Sequence, residues 1–285
     1  MFRIPGCGAE SIHFDDMHAT NLRFKSGAVP HADDFAVPQS KAGDYRGALQ
    51  ILRFNWPWYA ASGCVAFSLS LAASFAAGPL RWCLVAGATM TLSWSVISLL
   101  ASHWVYDRSR LTRWFWISDE IRVAARAVNI HAGFDETTSA LRKLFPMCHL
   151  ESWDCFRPDI MTEKSIGRAR QESDGEAMRV DLANLPAASE SVDCVFLIFA
   201  AHEIRTAQGR DAFFGEVHRI LKPGGYVLLV EHLRDLANFV AYGPGCWHFL
   251  PGEEWSRLAA SSKFSLAKHF RITPLVNVYL LKKGG

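Results

Sequence analysis

The chain has 285 residues, 50% of them hydrophobic and 20% charged, with a formal net charge of +2. That apolar content excludes a disordered chain, and the near-neutral balance leaves no electrostatic footprint for nucleic acid. The seven cysteines are odd in number and lack C-x-x-C spacing, which fits reduced thiols better than a disulfide framework or a zinc site.

Residues 1–50 read as a polar, irregular arm, and Met1–Pro5 lacks the long apolar run of a signal peptide. His13, Asp15, Asp16 and His18 are metal-capable types. Two histidines five residues apart, with no further cluster, fit a solvated arm better than a metal site, and no metal is expected.

Residues 54–106 change character. No charged residue lies between Arg53 and Arg81, nor between Arg81 and Asp107. Each stretch reaches the roughly 20 apolar residues that a bilayer-spanning helix needs. Gly78-Pro79-Leu80-Arg81 is expected as the tight turn between them. Trp56, Trp58, Trp82, Trp104, Trp114 and Trp116 gather at the ends, as in an aromatic belt. Gly63, Ala66, Ser70, Ala73, Gly87, Ser93 and Ser98 would let two helices approach closely. Lys41, Arg46 and Arg53 precede the pair and Arg108, Arg110 and Arg113 follow it, with Arg81 alone at the turn. The positive-inside rule then places a transmembrane hairpin in the cytoplasmic (inner) membrane with both termini in the cytoplasm. The alternatives are a buried hairpin of a soluble protein and a shallow re-entrant one.

Residues 114–285 read as an α/β domain. Ser118 is expected to cap a helix opening on Asp119 and Glu120. Strands are expected at 127–131, 148–153, 177–180, 192–199 and 226–231, then as a terminal pair at 264–272 and 275–281. Helices fall at 135–145 and 210–221, the second stopped by Lys222-Pro223-Gly224-Gly225. This alternation implies a mostly parallel, Rossmann-like sheet with helices on both faces, whose strand ends converge on one crevice. Asn129–Asp135, Asp154, Asp181, Ala200–Arg205 and Glu231–Asp235 would meet there.

Three features of this region resemble class I S-adenosylmethionine-dependent methyltransferases, most of all the small-molecule group of quinone-biosynthesis enzymes. Leu185–Phe199 is similar to the family's loop and fourth strand. Glu216–Gly225 is similar to its helix end and turn before the fifth strand, and the order of elements matches a seven-stranded sheet with one antiparallel strand. The resemblance implies S-adenosylmethionine as cofactor. It places Asn129, His131, Ala132, Gly133 and Asp135 at the glycine-rich loop, although only the middle glycine of the family's G-x-G-x-G survives. Asp135 would meet the amino group of the methionine moiety, Asp154 the ribose hydroxyls, Asp181 and Leu182 the adenine. Phe199 would form the floor beneath the methyl group. His202, Glu203, Arg205 and His232 are the expected catalytic residues. His202 would act as base toward a hydroxyl, with Glu203 orienting it and Arg205 holding an anionic group. His248 is a weaker candidate in an aromatic lid.

The expected function is a membrane-anchored methyltransferase for a lipophilic small molecule, O-methylation first and C-methylation second. The bilayer is its expected partner, with a homodimer or a biosynthetic complex as the expected assembly. The alternative readings are an inactive scaffold of the same fold and an enzyme for another nucleotide-like ligand.

Overall fold

A computed structural model describes residues 45–122, 125–161, 163–171 and 177–285. The His13–His18 group and most of the polar arm lie outside the described residues.

The arm's last residues are helical: α1 spans Arg46–Phe54. Its first amides, on Gly47 and Ala48, donate to the Asp107 carboxylate at 2.6 and 3.1 Å. A carboxylate at a helix N-terminus satisfies orphan donors and complements the dipole. Here it arrives from 60 residues downstream.

The two apolar stretches form α2 (Trp56–Phe75) and α3 (Gly78–His103). The break falls at Ala76 and Ala77, which are extended, rather than at 78–81. Pro79 belongs to the first turn of α3, where its missing N–H removes no helical bond. The two helices meet through small residues: Ala66 and Ala73 of α2 and Ala88 of α3 are buried. Outward faces stay bare, with Phe67, Phe75 and Trp82 each at least 70% exposed. By length and composition both helices can cross a membrane.

The chain leaves α3 through a wide turn at Trp104–Arg108 and a tighter one at Arg110–Arg113. Helix α4 spans Phe115–Glu120, so Ser118 lies inside a helix and does not open one. Its hydroxyl donates to the Phe115 carbonyl, and Ile121 is already extended. Burial of Trp116 and Ile117 fixes the position of this helix, overriding the capping signal.

The strands are β1 (Arg126–His131), β2 (His149–Asp154), β3 (Met178–Arg179), β4 (Val192–Ile198), β5 (Leu221–His232), β6 (Phe264–Thr273) and β7 (Val276–Lys283). They form one sheet in the order β3-β2-β1-β4-β5-β7-β6, with only β7 antiparallel to its neighbours. The remaining helices are α5 (Thr138–Leu144), α6 (Lys164–Arg170), α7 (Ala207–Ile220), α8 (Leu236–Tyr242) and α9 (Gly252–Ser261). The expected stop at 222–225 lies inside β5, whose pairing with β4 shifts register between Val192 and Cys194.

Alternate residues of the parallel strands feed two cores. Val195 and Leu197 pack with Phe213, Phe214 and Trp255 on one face. Phe196 and Ile198 pack on the other, and Val105, just past α3, joins them there. The base of the hairpin is therefore part of the domain's own core. The carboxyl ends of β1, β2, β4 and β5 share one edge, where parallel α/β sheets bind ligands.

Candidate active site

The β1 and β2 ends are held in register, His131 opposite Asp154. Gly133 follows β1 with φ +91°, a conformation that favours glycine. Its bare Cα is approached by the side chain of Arg170, whose Cγ would stand 2.8 Å from an added Cβ. Arg170 then pairs with Asp154 at 2.5 Å and lies over the Phe156 ring at 4.4 Å. The carboxylate expected to meet ribose hydroxyls is thus held by an arginine that also fills the glycine's open side.

Asn129 and Asp135 serve the loop itself. Asp135 Oδ1 accepts from the amides of Thr137 and Thr138 at 3.0 and 2.9 Å, and Oδ2 accepts from Ser152 at 2.5 Å. Burial pushes this carboxyl up, but these hydrogen bonds outweigh it and hold it below its ordinary value. Asn129 donates to Thr137 and Thr138 at 2.8 Å. Asp135 is thereby a cap for α5, not a free partner for an amino group. His131 differs. Its Nδ1 accepts from the Gly133 amide at 3.2 Å, while its buried Nε2 has no hydrogen-bond partner. Ala132 packs half-buried against the core. Leu182 is buried in the same core, whereas Asp181 sits in a bridge with Asn184 with its side chain largely exposed.

At the ends of β4 and β5 the charged residues gather. Glu231, fully buried, accepts from the amides of Ala201 and His202 and from His202 Nδ1 at 2.6 Å. His202 Nε2 faces Glu203 at 3.1 Å, and Glu203 also meets His248 Nε2 at 3.0 Å. Burial alone would push the His202 pKa down, but the carboxylates of Glu231 and Glu203 outweigh it and carry the ring up to about 10. In this arrangement the ring holds both protons and offers no lone pair, which argues against His202 as the base. Arg205 donates to the carbonyls of His202 and His248 at 3.1 and 2.6 Å. Arg234 donates to those of Phe249 and Trp247. The two arginines fasten the segment 247–249 over the site.

His232 ends β5 in a different state. Its Nδ1 lies 2.8 Å from the Leu275 carbonyl, which can only accept, so Nδ1 carries the proton. Nε2 is left to accept from the Tyr106 hydroxyl at 2.8 Å. Burial pushes the His232 pKa down to about 4, so the ring is neutral at physiological pH. It is stacked between Phe199 and Phe249, with centroids 4.9 Å away on each side. Phe199 takes φ +53°, rare for an aromatic residue, to reach that stack from the end of β4.

Sequence reasoning placed His202, Glu203 and His232 on adjacent strand ends, and the structure brings both histidines against Phe249, with Glu203 on His202 and His248. It missed Tyr106, read as membrane helix, and Arg170, in a polar stretch without pattern. Glu231 was visible only as an acidic residue ending a buried strand.

Residues 133–229 match the sequence family described as the methyltransferase domain. No curated protein sequence matches the chain. Among solved structures it is similar to a SAM-dependent methyltransferase from Methanosarcina mazei, with 17% identity, 59% of this chain and 97% of that one covered, and a TM-score of 0.43. A SAM-dependent methyltransferase from Aquifex aeolicus shares 13% identity over 66% of this chain and 97% of its own, with a TM-score of 0.46. An N-methyltransferase from Bradyrhizobium japonicum shares 14% identity over 62% and 95%, with a TM-score of 0.42.

Residues 133–229 carry the methyltransferase-domain match, the strand order is that of a seven-stranded Rossmann-like sheet, and the match indicates S-adenosylmethionine as cofactor. The residues fit that group. Gly133 leaves open space that only the movable Arg170 fills, and the orphan Nε2–H of His131 is a donor suited to a carboxylate. Asp154 is a carboxylate suited to a ribose diol once Arg170 moves aside.

Proposed function

We propose that the protein is a membrane-anchored methyltransferase that acts on a lipophilic small molecule, transferring to a hydroxyl oxygen in preference to carbon. One observation carries this reading: the hydroxyl of Tyr106, at the end of the apolar hairpin, lies on Nε2 of the neutral His232. The end of a membrane-like element is thereby part of the site wall. A groove of about 570 Å³ runs between α3 and α8, lined by Ile97, Ala101, Trp104, Leu236, Val240 and Leu275. Leu275 is also the residue whose carbonyl fixes the His232 tautomer. The groove and the His232 site share Leu275, which supports an apolar acceptor approaching from the hairpin side.

S-adenosylmethionine supplies an electrophilic methyl group when bound. The chain has then to align an acceptor and take one proton. An acceptor hydroxyl in the place of the Tyr106 hydroxyl would find the lone pair of His232. Phe199 and Phe249 hold that ring rigid and exclude water. Asp154, Gly133 and His131 would hold the cofactor, with Asp181 at the rim for its adenine. The positive flanks Arg46, Arg53, Arg108, Arg110 and Arg113 support a cytoplasmic position for the domain.

The Arg170–Asp154 pair favours a second reading, a scaffold whose cofactor groove is closed for good. Isothermal titration of the full chain in detergent with S-adenosylhomocysteine separates the two. Micromolar binding, weakened at least about tenfold in Asp154→Ala, is expected for the enzyme; a tenfold change is about 1.4 kcal/mol. Absence of binding at millimolar ligand would leave the scaffold reading. Methyl incorporation into bilayer-dissolved phenols or quinols, read by mass, then tests the acceptor class.

A further inference from the structure

The spacing of His202, Glu203 and His248 in the sequence gives no metal pattern, because 45 residues separate the lid histidine from the pair after β4. The fold closes that gap. Glu203 Oε1 stands 3.1 Å from His202 Nε2 and 3.0 Å from His248 Nε2, and a ligand atom of each of the three residues lies within 4.8 Å of the others. Zinc bonds of about 2.0–2.2 Å in a tetrahedron set neighbouring donors roughly 3.3 Å apart. Two of the three edges are already within a few tenths of an ångström of that value.

We propose that His202, Glu203 and His248 form a zinc site with one open coordination position at the carboxyl ends of β4 and β5.

Two further observations support it. A zinc-bound histidine commonly donates its other ring N–H to a carboxylate, which fixes the tautomer and the ring plane. His202 Nδ1 lies 2.6 Å from the fully buried Glu231, so the proton that Nε2 holds toward Glu203 is the one released to solvent when the metal takes its place. Glu163 stands in a looser version of the same relation to His248 Nδ1, at 3.8 Å. The second observation is an unmet need. Glu203 is only 5% exposed, and its Oε2 is buried with no hydrogen-bond partner among the described residues. A buried acceptor without a partner is costly, and an ion-pair cluster joined by protons leaves it so. A cation held by both oxygens of Glu203, Oε1 facing the two histidines and Oε2 beside it, would satisfy it.

Two imidazoles and one carboxylate are a borderline donor set. They suit zinc better than calcium or magnesium, which take oxygen ligands, and they lack the thiolates that close a structural zinc site. With three protein ligands the fourth position stays open for an oxygen. Zinc lowers the pKa of a bound oxygen acid, and so weak a base as His232 gains from an acceptor made acidic in this way. This role rests on the methyltransferase reading; the metal site itself does not.

The test uses the full chain without a polyhistidine tag, purified in detergent, stripped with chelator and dialysed against zinc chloride. Plasma mass spectrometry is expected to find about one zinc per chain. Cobalt(II) in its place is expected to give the intense visible bands of a tetrahedral centre. Glu203→Gln and His248→Ala should each lower bound zinc to about one-tenth or less. Glu231→Gln should weaken zinc about 10–100-fold, as loss of an outer carboxylate does. His149→Ala, exposed and distant in sequence, should bind as the parent does. Thermal melts verify folding. Should Glu203→Gln fail to fold, His248→Ala decides, because that side chain is 25% exposed. Substoichiometric zinc in the parent, or full retention in His248→Ala, overturns the proposal. Failure to bind S-adenosylhomocysteine with zinc in place would overturn the methyltransferase reading and leave the metal content untouched.

Discussion

Arg170 and a ribose diol would compete for one carboxylate, that of Asp154, and the arginine holds it in this structure. A hydrogen-bonded charge is worth about 1.5–3 kcal/mol. Arg170→Ala is therefore expected to tighten S-adenosylhomocysteine about tenfold or more by titration calorimetry. Weaker binding would instead mean that Arg170 turns to hold the cofactor. His232 predicts a pH effect. The unfolded chain protonates this ring near 6.5 and the folded chain only near 4. Between those values protons favour the unfolded state. Stability is intact above pH 6.5 and falls as pH drops to 4, by roughly 3 kcal/mol in all. Melting curves of His232→Asn against the parent should show a shallower acid slope in the variant, and identical slopes would refute the assignment. At this scale the sequence was half legible. Residues ending apolar strands were found because a parallel sheet collects them. Asp135 is expected to meet the cofactor because it follows the Gly133 loop, and its hydrogen bonds from the Thr137 and Thr138 amides are not legible from that position. Nothing in the sequence marks Tyr106, whose partner lies 126 residues away.

Two glycines decide how elements meet. A Cβ on Gly47 would stand 2.5 Å from the Cβ of Tyr106, so α1 lies against the hairpin base only because this residue has no side chain. Gly243, at φ +58°, ends α8 with the Trp94 ring 3.1 Å from where its Cβ would be. Trp94 also donates to the Val240 carbonyl, pinning α3 to α8. Gly47→Val and Gly243→Val should each cost about 1–3 kcal/mol, read as a lower melting temperature in detergent. Unchanged melting would show that these contacts are not what joins the hairpin to the domain. Apolar elements were the legible ones: β1, β4 and β5 announce themselves as runs, and so do α2 and α3. Helix α1 did not, because its N-terminal partner is Asp107, far along the chain. Helix α4 was shifted because two buried aromatic and aliphatic residues outweighed a local cap.

The described residues form one sheet with a hairpin rooted in it. Val105 beneath the hairpin is wholly buried in the same cluster as Phe196 and Val230 of the sheet. The hairpin is thus not a tether on a flexible linker. The fold class was legible because strand order follows from alternation and right-handed crossovers. The attachment was not, because it depends on contacts such as Tyr106 with His232, 126 residues apart in the chain. That rigid attachment has a kinetic consequence under the proposed function. If the Tyr106–His232 contact lies at the level of the bilayer surface, the enzyme and its acceptor meet in two dimensions. The relevant concentration is then the acceptor's mole fraction among lipids, not its amount per volume of solution. Doubling inert lipid at constant total acceptor should lower the rate when acceptor is limiting. Doubling the vesicle suspension at fixed composition should leave turnover per enzyme unchanged. An enzyme that drew its acceptor from water would respond to total volume instead, and surface dilution would leave its rate alone.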